Sequence, residues 1–307
     1  MQNTSTILMV RPASFQYNIE TAVSNDYQKN ITSISSAEIN EIAKHEHDQF
    51  VDILRSHHID VLVINDTEIP IKPDAIFPNN WISMHEDGRV FLFPMKNSNR
   101  ALERREDIVQ EIKDKFFVNE VIDWSAYERD GIALEGTGSI VFDHKSKVAY
   151  ACISPRTDEK LFNKYCAILG YQPVVFHAYD QNQKLIYHTN VVMCVGDGFV
   201  VIGMESVVDE QEKKILLAQF KTSNLTLVDI SNEQLNNNFA GNMLELKNKE
   251  GKKYLVMSLR AFNSLRHEQK QILEQFTNLL PIPINMIEDI GGGSARCMMA
   301  EIFCKKR

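Results

Sequence analysis

The 307-residue sequence predicts an α/β fold in which five similar units form a ring. Apolar segments typical of strands alternate with amphipathic helices along the chain. The order of two strands, a helix and another strand recurs, and a polar residue stands at one phase of each unit. A doubly wound sheet also alternates strands and helices, but it gives no reason for that constant phase. We therefore expect one domain over residues 1–307, a five-bladed pseudo-symmetric α/β propeller of ββαβ-like repeats.

The individual elements follow from hydrophobic periodicity and from Gly, Pro and Asn punctuation. A first strand over 7–10 leads into a polar loop that continues to residue 30. Helices are predicted over 37–58, 101–117, 158–169, 209–220 and 264–276. Further strands are predicted over 61–64, 81–84, 90–94, around 121, 132–142, 148–153, around 174, 191–195, 199–204, 225–229, 243–246, 254–258, 282–285 and 297–303. The last two strands lack a third, so we expect the N-terminal strand to complete the C-terminal blade.

Five polar residues mark the repeat, each predicted to open the middle strand of a unit. They follow one another at intervals of 53 to 55 residues and are Asn80, Glu135, His188, Asn242 and Cys297. A radial arrangement of the units turns one phase of the repeat towards the axis. The five side chains are therefore expected to converge on a central cavity.

Cys297 is the candidate nucleophile of that cavity. It follows three glycines, 291–293, whose backbone freedom leaves open space beside the chain, and a thiolate is a strong nucleophile near neutral pH. The other four cysteines lie in apolar segments or near the C-terminus, and no Cys-x-x-Cys pair occurs. His188 is the expected base and later the proton donor. Glu135 is expected either to orient the imidazole or to hold the substrate's nitrogens by charge-assisted hydrogen bonds. Strand alternation sends Arg296 to the opposite face.

Composition excludes several other classes of protein. A net charge of -8 argues against a nucleic-acid partner, which needs a basic face. No apolar segment approaches 18 residues, so we expect a soluble, cytoplasmic protein without a membrane partner. The histidines show no metal-ligand spacing, and the triple glycine is expected to precede a strand, whereas a phosphate loop opens a helix. We expect no metal and no cofactor, and we leave the oligomeric state open, a homodimer included.

Several motifs together resemble the guanidine-modifying superfamily. They are Leu134-Glu135-Gly136, Tyr187-His188-Thr189-Asn190, Phe77-Pro78-Asn79-Asn80-Trp81 and the glycines that lead to Cys297. That superfamily includes arginine deiminases, dimethylarginine hydrolases and arginine:glycine amidinotransferases, and its fold is the five-bladed α/β propeller called a pentein. The resemblance covers nearly the whole chain. It implies a cysteine-dependent hydrolase with Cys297, His188 and Glu135 as catalytic residues.

The resemblance also implies residues that bind the substrate. Ile153-Ser154-Pro155-Arg156-Thr157 is similar to a segment whose arginine binds the substrate carboxylate, and Arg100 is a second candidate for that role. Deiminases carry aspartates where this chain has Asn80 and Asn190, and Asn79 lies in the same motif. Buried carboxylates suit a cation, whereas amides suit a neutral polar group. The combined motifs most resemble the citrulline-utilisation hydrolase branch, of CtlX type.

The expected reaction is hydrolysis of a carbon–nitrogen bond of a ureido or guanidino amino acid through a covalent cysteine intermediate. Citrulline would give ornithine, ammonia and carbon dioxide. Two alternatives stay open. One is an arginine deiminase or dimethylarginine hydrolase, and the other is a noncatalytic propeller that binds a small molecule. The identity of the substrate tail and the residues that cover the cavity also stay open.

Overall fold

The computed structural model describes residues 1–307 and contains five three-stranded sheets. In every sheet the first strand pairs antiparallel with the middle strand, and the third pairs parallel with it. The first strands of neighbouring sheets contact one another, directly or through the short turns that precede them. They therefore surround a common axis. The predicted five-bladed α/β propeller, the pentein fold, is confirmed.

Fifteen short strands make up the five blades. They are β1 (Thr6–Arg11), β2 (Asp60–Asn65), β3 (Ile82–Met84), β4 (Arg89–Leu92), β5 (Glu120–Asp123), β6 (Val141–Asp143), β7 (Val148–Cys152), β8 (Gln172–Phe176), β9 (Met193–Val195), β10 (Phe199–Ile202), β11 (Thr226–Asp229), β12 (Leu244–Lys247), β13 (Lys253–Ser258), β14 (Asn278–Ile282) and β15 (Ala300–Glu301). The middle strands β7 and β10 are wholly buried. Their continuous apolar runs are typical of strands covered on both faces.

Twelve α-helices connect the strands, and several are a single turn. They are α1 (Ile19–Ala22), α2 (Ser36–Ser56), α3 (Ser98–Ala101), α4 (Glu106–Lys115), α5 (Gly136–Ser139), α6 (Glu159–Leu169), α7 (Thr189–Val192), α8 (Glu210–Thr222), α9 (Asn232–Asn236), α10 (Leu259–Ser264), α11 (His267–Glu274) and α12 (Asn285–Gly291). None of the helices combines the length and the apolar character that a membrane crossing needs.

The longest helix, α2, shows why these segments become helical. Ser35 and Glu38 form a reciprocal capping box that satisfies free N–H groups of the first turn. Ile39, Ala43 and Phe50 recur on one face at helical spacing and are buried against the sheet of β1. The outer helix of each blade thus covers the sheet, and the polar turns between blades stay at the axis.

The chain ends meet in one blade, whose sheet order is β15-β1-β2. The C-terminal strand β15 pairs antiparallel with β1, as the need for a completing strand predicted. The prediction paired 282–285 with 297–303, and this was wrong. Ile282 ends β14 in the preceding blade, and α12 begins at Asn285.

Candidate active site

Four of the five marker residues of the repeat begin or lie on short helical turns before the first strand of their blades, and Asn242 lies in the irregular segment before β12. The sequence predicted that they open those strands, and for Glu135, His188 and Cys297 this was wrong. Glu135 and His188 are the N-caps of α5 and α7, and Cys297 lies in the 3₁₀ turn Ala295–Met298. Asn80 ends the 3₁₀ turn Pro78–Asn80. The short turns contact one another: α5 contacts α7 and the turn Pro78–Asn80, and that turn contacts the turn Ala295–Met298.

Glu135 and His188 form a buried pair. The Nε2 atom of His188 lies 2.8 Å from Oε2 of Glu135, and the two side chains are 2% and 0% exposed. Burial alone would raise the pKa of Glu135, but Arg156, the hydrogen bond with His188 and Arg100 lower it from 4.5 to about 2. Burial lowers the pKa of His188 to about 4 despite its carboxylate partner. At neutral pH the pair is therefore a carboxylate and a neutral imidazole.

This charge state fixes the tautomer of His188. A carboxylate only accepts hydrogen bonds, so Nε2 carries the proton and Nδ1 keeps its lone pair. The Nδ1 atom lies above Gly138, where a built Cβ would stand 2.8 Å from it and 2.3 Å from Nδ2 of Asn80. Only glycine fits there. The free lone pair of His188 and the Asn80 amide consequently share the same small space.

The glycine-rich turn places Cys297. Helix α12 ends with Gly292 at a φ of +61°, a left-handed conformation that favours glycine. A Cβ on Gly291 would stand 2.7 Å from the ring of Phe77, so that ring packs directly on the backbone. The hydroxyl of Tyr187 donates to the carbonyl oxygen of Gly292 at 2.5 Å. The turn that delivers the thiol is thereby held by the segment that carries His188.

Two asparagine amides contact the sulfur of Cys297, whose residue is 3% exposed. The Nδ2 atoms of Asn190 and Asn242 lie 3.4 Å and 3.2 Å from Sγ. The guanidinium of Arg296 donates instead to the Met299 carbonyl and to Glu301. The polar groups at hydrogen-bond distance from the thiol are therefore neutral amides.

Arg100 is buried and most of its donors are occupied. It makes a bidentate pair with Glu103 at 2.8 Å for both bonds, and its Nη1 donates to Oδ1 of Asn80 at 2.8 Å. A weaker bond reaches the Phe77 carbonyl at 3.4 Å. Its guanidinium also lies 3.8 Å from Asp74 and 4.0 Å from Glu135. Such a fully bonded group is suited to orienting Asn80.

Arg156 links the axis to the N-terminal segment 18–28. Its Nη2 donates to Oγ of Ser24 at 2.8 Å and to the Thr21 carbonyl at 3.2 Å. Its Nη1 lies 3.7 Å from Glu135, and its guanidinium stacks on the ring of Tyr187 at 4.8 Å. Asn18 in the same segment donates to Asp74 at 2.8 Å. This segment therefore contacts the residues around the predicted site, and its role could not be assigned from sequence.

Several buried amide atoms at the axis have no hydrogen-bond partner. They are Nδ2 and Oδ1 of Asn79, Nδ2 of Asn80 and Oδ1 of Asn190. The orientation of the Asn80 amide is defined, because Arg100 can only donate and so must face Oδ1. Unpaired buried donors are costly unless a ligand completes them. These atoms therefore outline the place of a polar ligand.

The predicted residues thus fall into two bonded groups that meet at α7. One group contains Glu135 and His188 with the two arginines, and the other contains Cys297 with Asn190. His188 caps α7 and Asn190 lies in its first turn, so one short element carries a member of each group. The sequence marked Asn242 as part of the repeat without giving it a role. Tyr187 stands in the family motif that contains His188 but had no assigned role, and Asp74 and Glu103 carried no signal that could identify them.

The fold and the site define a class. A pentein propeller with a buried cysteine, histidine and glutamate at its axis is a cysteine-dependent hydrolase of the guanidine-modifying superfamily. Residues 11–304 match the family model described as N,N dimethylarginine dimethylhydrolase, eukaryotic. The chain belongs to this family. No curated protein matches the sequence.

Solved structures share the fold at low sequence identity. The N-terminal domain of ArgZ, in a form covalently bound to a reaction intermediate, is 18% identical with a TM-score of 0.71, and the match covers 96% of each chain. A related ArgZ structure is described as an arginine dihydrolase from the ornithine-ammonia cycle in cyanobacteria. AgrE with ornithine and NAD+ is 18% identical with a TM-score of 0.75, over 99% of this chain but 40% of that one. A dimethylarginine hydrolase from Pseudomonas aeruginosa, with a cysteine replaced by serine and citrulline bound, is 14% identical with a TM-score of 0.66, over 98% and 99% of the chains.

Proposed function

We propose that the protein hydrolyses the ureido group of citrulline, giving ornithine, ammonia and carbon dioxide. The observation that carries this proposal is the free Nδ2 of Asn80, a buried donor beside His188 that needs an acceptor. A ureido group offers a carbonyl oxygen, whereas a guanidinium has only donors. The unpaired Nδ2 and Oδ1 of Asn79 match a group that both donates and accepts.

In this proposal Cys297 is the nucleophile. Its thiolate attacks the ureido carbon, and the oxygen that gains charge is held by amide donors such as Asn80. The Nδ1 atom of His188 takes up the proton of the Cys297 thiol and passes it to the departing nitrogen. Loss of ammonia leaves a thiocarbamate on the sulfur. Water activated by His188 hydrolyses that bond, and the released carbamate decomposes to ornithine and carbon dioxide.

Glu135 supports the charged form of His188 during each proton transfer. An imidazolium is unfavourable in a buried site, and the carboxylate 2.8 Å away compensates for it. Arg156 has one guanidinium nitrogen, Nη1, that makes no hydrogen bond and faces the axis near Glu135. We assign the substrate carboxylate to it. Arg100, whose donors are mostly used, acts by orienting Asn80.

A guanidino substrate is the second candidate, and one observation favours it. Asp74, Glu103 and Glu135 are buried beside two arginines, Arg100 and Arg156, so a cationic substrate would balance the excess negative charge of this cluster. The family model describes a dimethylarginine hydrolase, and the ArgZ description names an arginine dihydrolase. Under this alternative arginine gives citrulline and one ammonia if a single carbon–nitrogen bond is hydrolysed, or ornithine, carbon dioxide and two ammonia molecules if both are.

The test is a side-by-side assay of citrulline, arginine and N,N-dimethylarginine with purified protein. Ornithine and ammonia are both quantified, because citrulline hydrolysis gives one ammonia per ornithine and arginine dihydrolysis gives two. We expect citrulline to have the highest kcat/KM. A Cys297→Ala variant is the control and should be inactive on all three. A higher kcat/KM for arginine would reject the ureido assignment, and an active Cys297→Ala variant would reject the nucleophile.

A further inference from the structure

The thiol of Cys297 lies among neutral groups, although a nucleophilic thiolate needs stabilisation. Buried thiolates are unfavourable unless a cation or hydrogen-bond donors face them. His188 points its Nε2 to Glu135, and Arg296 points its guanidinium to Glu301. The groups that do face the sulfur are the side-chain amides of Asn190 and Asn242.

The amide of Asn242 is oriented so that it must donate. Its Oδ1 accepts a hydrogen bond from the backbone N–H of Arg296 at 3.0 Å, and its Nδ2 donates to the Asn190 carbonyl at 2.9 Å. A flipped amide would bring two donors together and two acceptors together. Because an amide nitrogen carries two hydrogens, the second one is available for the sulfur. The sulfur lies closer to Nδ2, at 3.2 Å, than to Oδ1, at 3.7 Å.

The backbone around Asn242 fixes this arrangement. A Cβ on Gly241 would stand 2.2 Å from the Val191 carbonyl oxygen, so the turn before Asn242 packs directly on α7. Helix α7 carries Asn190, and the two asparagines are thereby set side by side. Asn242 is fully buried, so its N–H donor is held in place and is shielded from water. A donor held in place before the reaction needs no reorganisation as charge develops.

We infer that Asn242 is a catalytic residue whose amide, together with that of Asn190, stabilises the thiolate of Cys297. The two amide N–H groups stabilise the negative charge of the sulfur, as a nearby cation does in other cysteine sites. This inference rests on the proposed role of Cys297 as the nucleophile. The two amides matter more if the substrate is a ureido compound. A neutral substrate brings no positive charge that could stabilise the thiolate on binding.

The test follows the thiolate in the substrate-free protein. Absorbance near 240 nm is titrated against pH in wild type and in Asn242→Asp, with Cys297→Ala as the reference for both. Burial raises the pKa of Cys152, Cys166 and Cys194 to about 12 and that of Cys304 to about 11, so these thiols stay silent near neutral pH. Asn242→Asp keeps the acceptor for the Arg296 N–H and loses the donor, but it also adds a negative charge beside the sulfur. Asn190→Ser, which removes a donor without adding a charge, is therefore titrated beside it, and the midpoint must rise in both variants. We expect the midpoint to rise by about one to two pH units.

Kinetics separate this role from a structural one. In Asn242→Asp we expect kcat at pH 7 to fall by about 10- to 100-fold, to recover in part at higher pH, and KM to change little. Asn248→Asp is the matched control, because Asn248 is also a buried asparagine that holds a turn and its bonds go to His57, Glu250 and Lys252. Asn248→Asp should keep the wild-type midpoint of the thiolate absorbance titration.

An unchanged midpoint in folded Asn242→Asp would overturn the inference. If that variant does not fold, Asn190→Ser decides, since it removes the other donor without breaking a backbone bond, and an unchanged midpoint there overturns it equally. The substrate question is independent, because the titration contains no substrate. A preference for arginine would reject the proposed substrate and leave a raised midpoint valid.

Discussion

Replacing Glu135 by glutamine removes one charge and almost no volume. The carboxylate is fully buried and accepts from the Lys96 backbone N–H at 2.9 Å and from His188 at 2.8 Å. A glutamine can still accept from Lys96. It cannot compensate for a protonated His188, and it leaves the guanidinium of Arg156 without its buried counter-charge. We expect Glu135→Gln to fold with reduced stability and to lose most of its activity.

The stability loss can be estimated from the charge state of Glu135. Burial, opposed by the larger combined effect of Arg156, His188 and Arg100, brings the pKa of Glu135 from 4.5 to about 2. At about 1.4 kcal/mol per pKa unit this is about 3 kcal/mol of unfolding free energy. Because the folded pKa is depressed, this stability is fully present above pH 4.5 and is lost as the pH falls through about 2. Glu135→Gln should lose about 3 kcal/mol at pH 7.

The activity loss has a separate origin. A positioned acid–base group contributes about 10²- to 10⁴-fold to the rate, and His188 cannot hold a proton without its carboxylate. We expect kcat to fall within that range. The measurements are ornithine release under saturating citrulline and guanidinium-chloride unfolding at pH 7.

Glu128→Gln is the matched control for this prediction. Glu128 also accepts a backbone N–H, that of Met95 at 2.7 Å, and pairs with an arginine, Arg104. It lies away from the axis, with its side chain 23% exposed, so its variant should keep kcat within about twofold. The reasoning would be refuted if folded Glu135→Gln kept kcat within about fivefold of wild type, or if both variants lost activity equally.

Three further predictions concern substrate choice, substrate binding and pH. Asn80→Asp introduces the carboxylate that arginine deiminases carry at this position, so the ratio of kcat/KM for arginine to that for citrulline should rise at least about tenfold. An unchanged ratio contradicts the proposal that the Asn80 amide selects a neutral ureido group. Arg156→Lys loses the planar contacts to Ser24 and the Tyr187 ring, so KM should rise about 10- to 100-fold with a smaller change in kcat, whereas an unchanged KM contradicts the carboxylate assignment. Burial lowers the pKa of His85 and of His188 to about 4, so each costs about 1.4 kcal/mol of stability per pH unit as the pH falls from 6.5 towards 4. Buried carboxyls with a raised pKa, such as Glu103 at about 7, act in the opposite direction, so the check is the difference in unfolding free energy between wild type and His85→Gln; a difference that is equal at pH 6.5 and 5.5 would contradict this.

The fold was predictable because its repeat is written in the sequence. The alternation of strand and helix patterns predicted the composition of one blade. The regular spacing from Asn80 to Cys297 predicted the number of blades and the residues that lie near the axis. The local conformation of the markers was not predictable by the same means. The segments around Glu135 and His188 have strand-like composition, yet contacts between neighbouring turns at the axis make α5 and α7 helical. Tertiary packing overrides local propensity there.

The site was predictable only where a residue shares the repeat or a family motif. Asn242 stands at the right phase, but nothing in a single sequence says that its amide faces a sulfur. Asp74 and the N-terminal segment that contacts Arg156 lie outside every repeat position. Their proximity depends on loops whose paths are set by long-range contacts. Such contacts leave no periodic signal along the chain.

Charge balance and hydrogen bonding at the site favour different substrates. The comparison that matters is between the free-energy cost of the buried charge and that of the unpaired hydrogen-bond donor. Excess buried carboxylate favours arginine, but that excess can be removed by a proton, since burial raises the pKa of Asp74 and brings that of Glu103 to about 7. The unpaired N–H of Asn80 cannot be satisfied by a protonation change or by an amide flip, because the hydrogen bond from Arg100 fixes the orientation of the amide. An unpaired buried donor costs about 1 to 3 kcal/mol, which is about 5- to 150-fold in affinity. In our proposal the carbonyl oxygen of the ureido group removes that cost next to the reacting carbon, and the proposal of citrulline rests on this local hydrogen bond outweighing a charge that protonation can adjust.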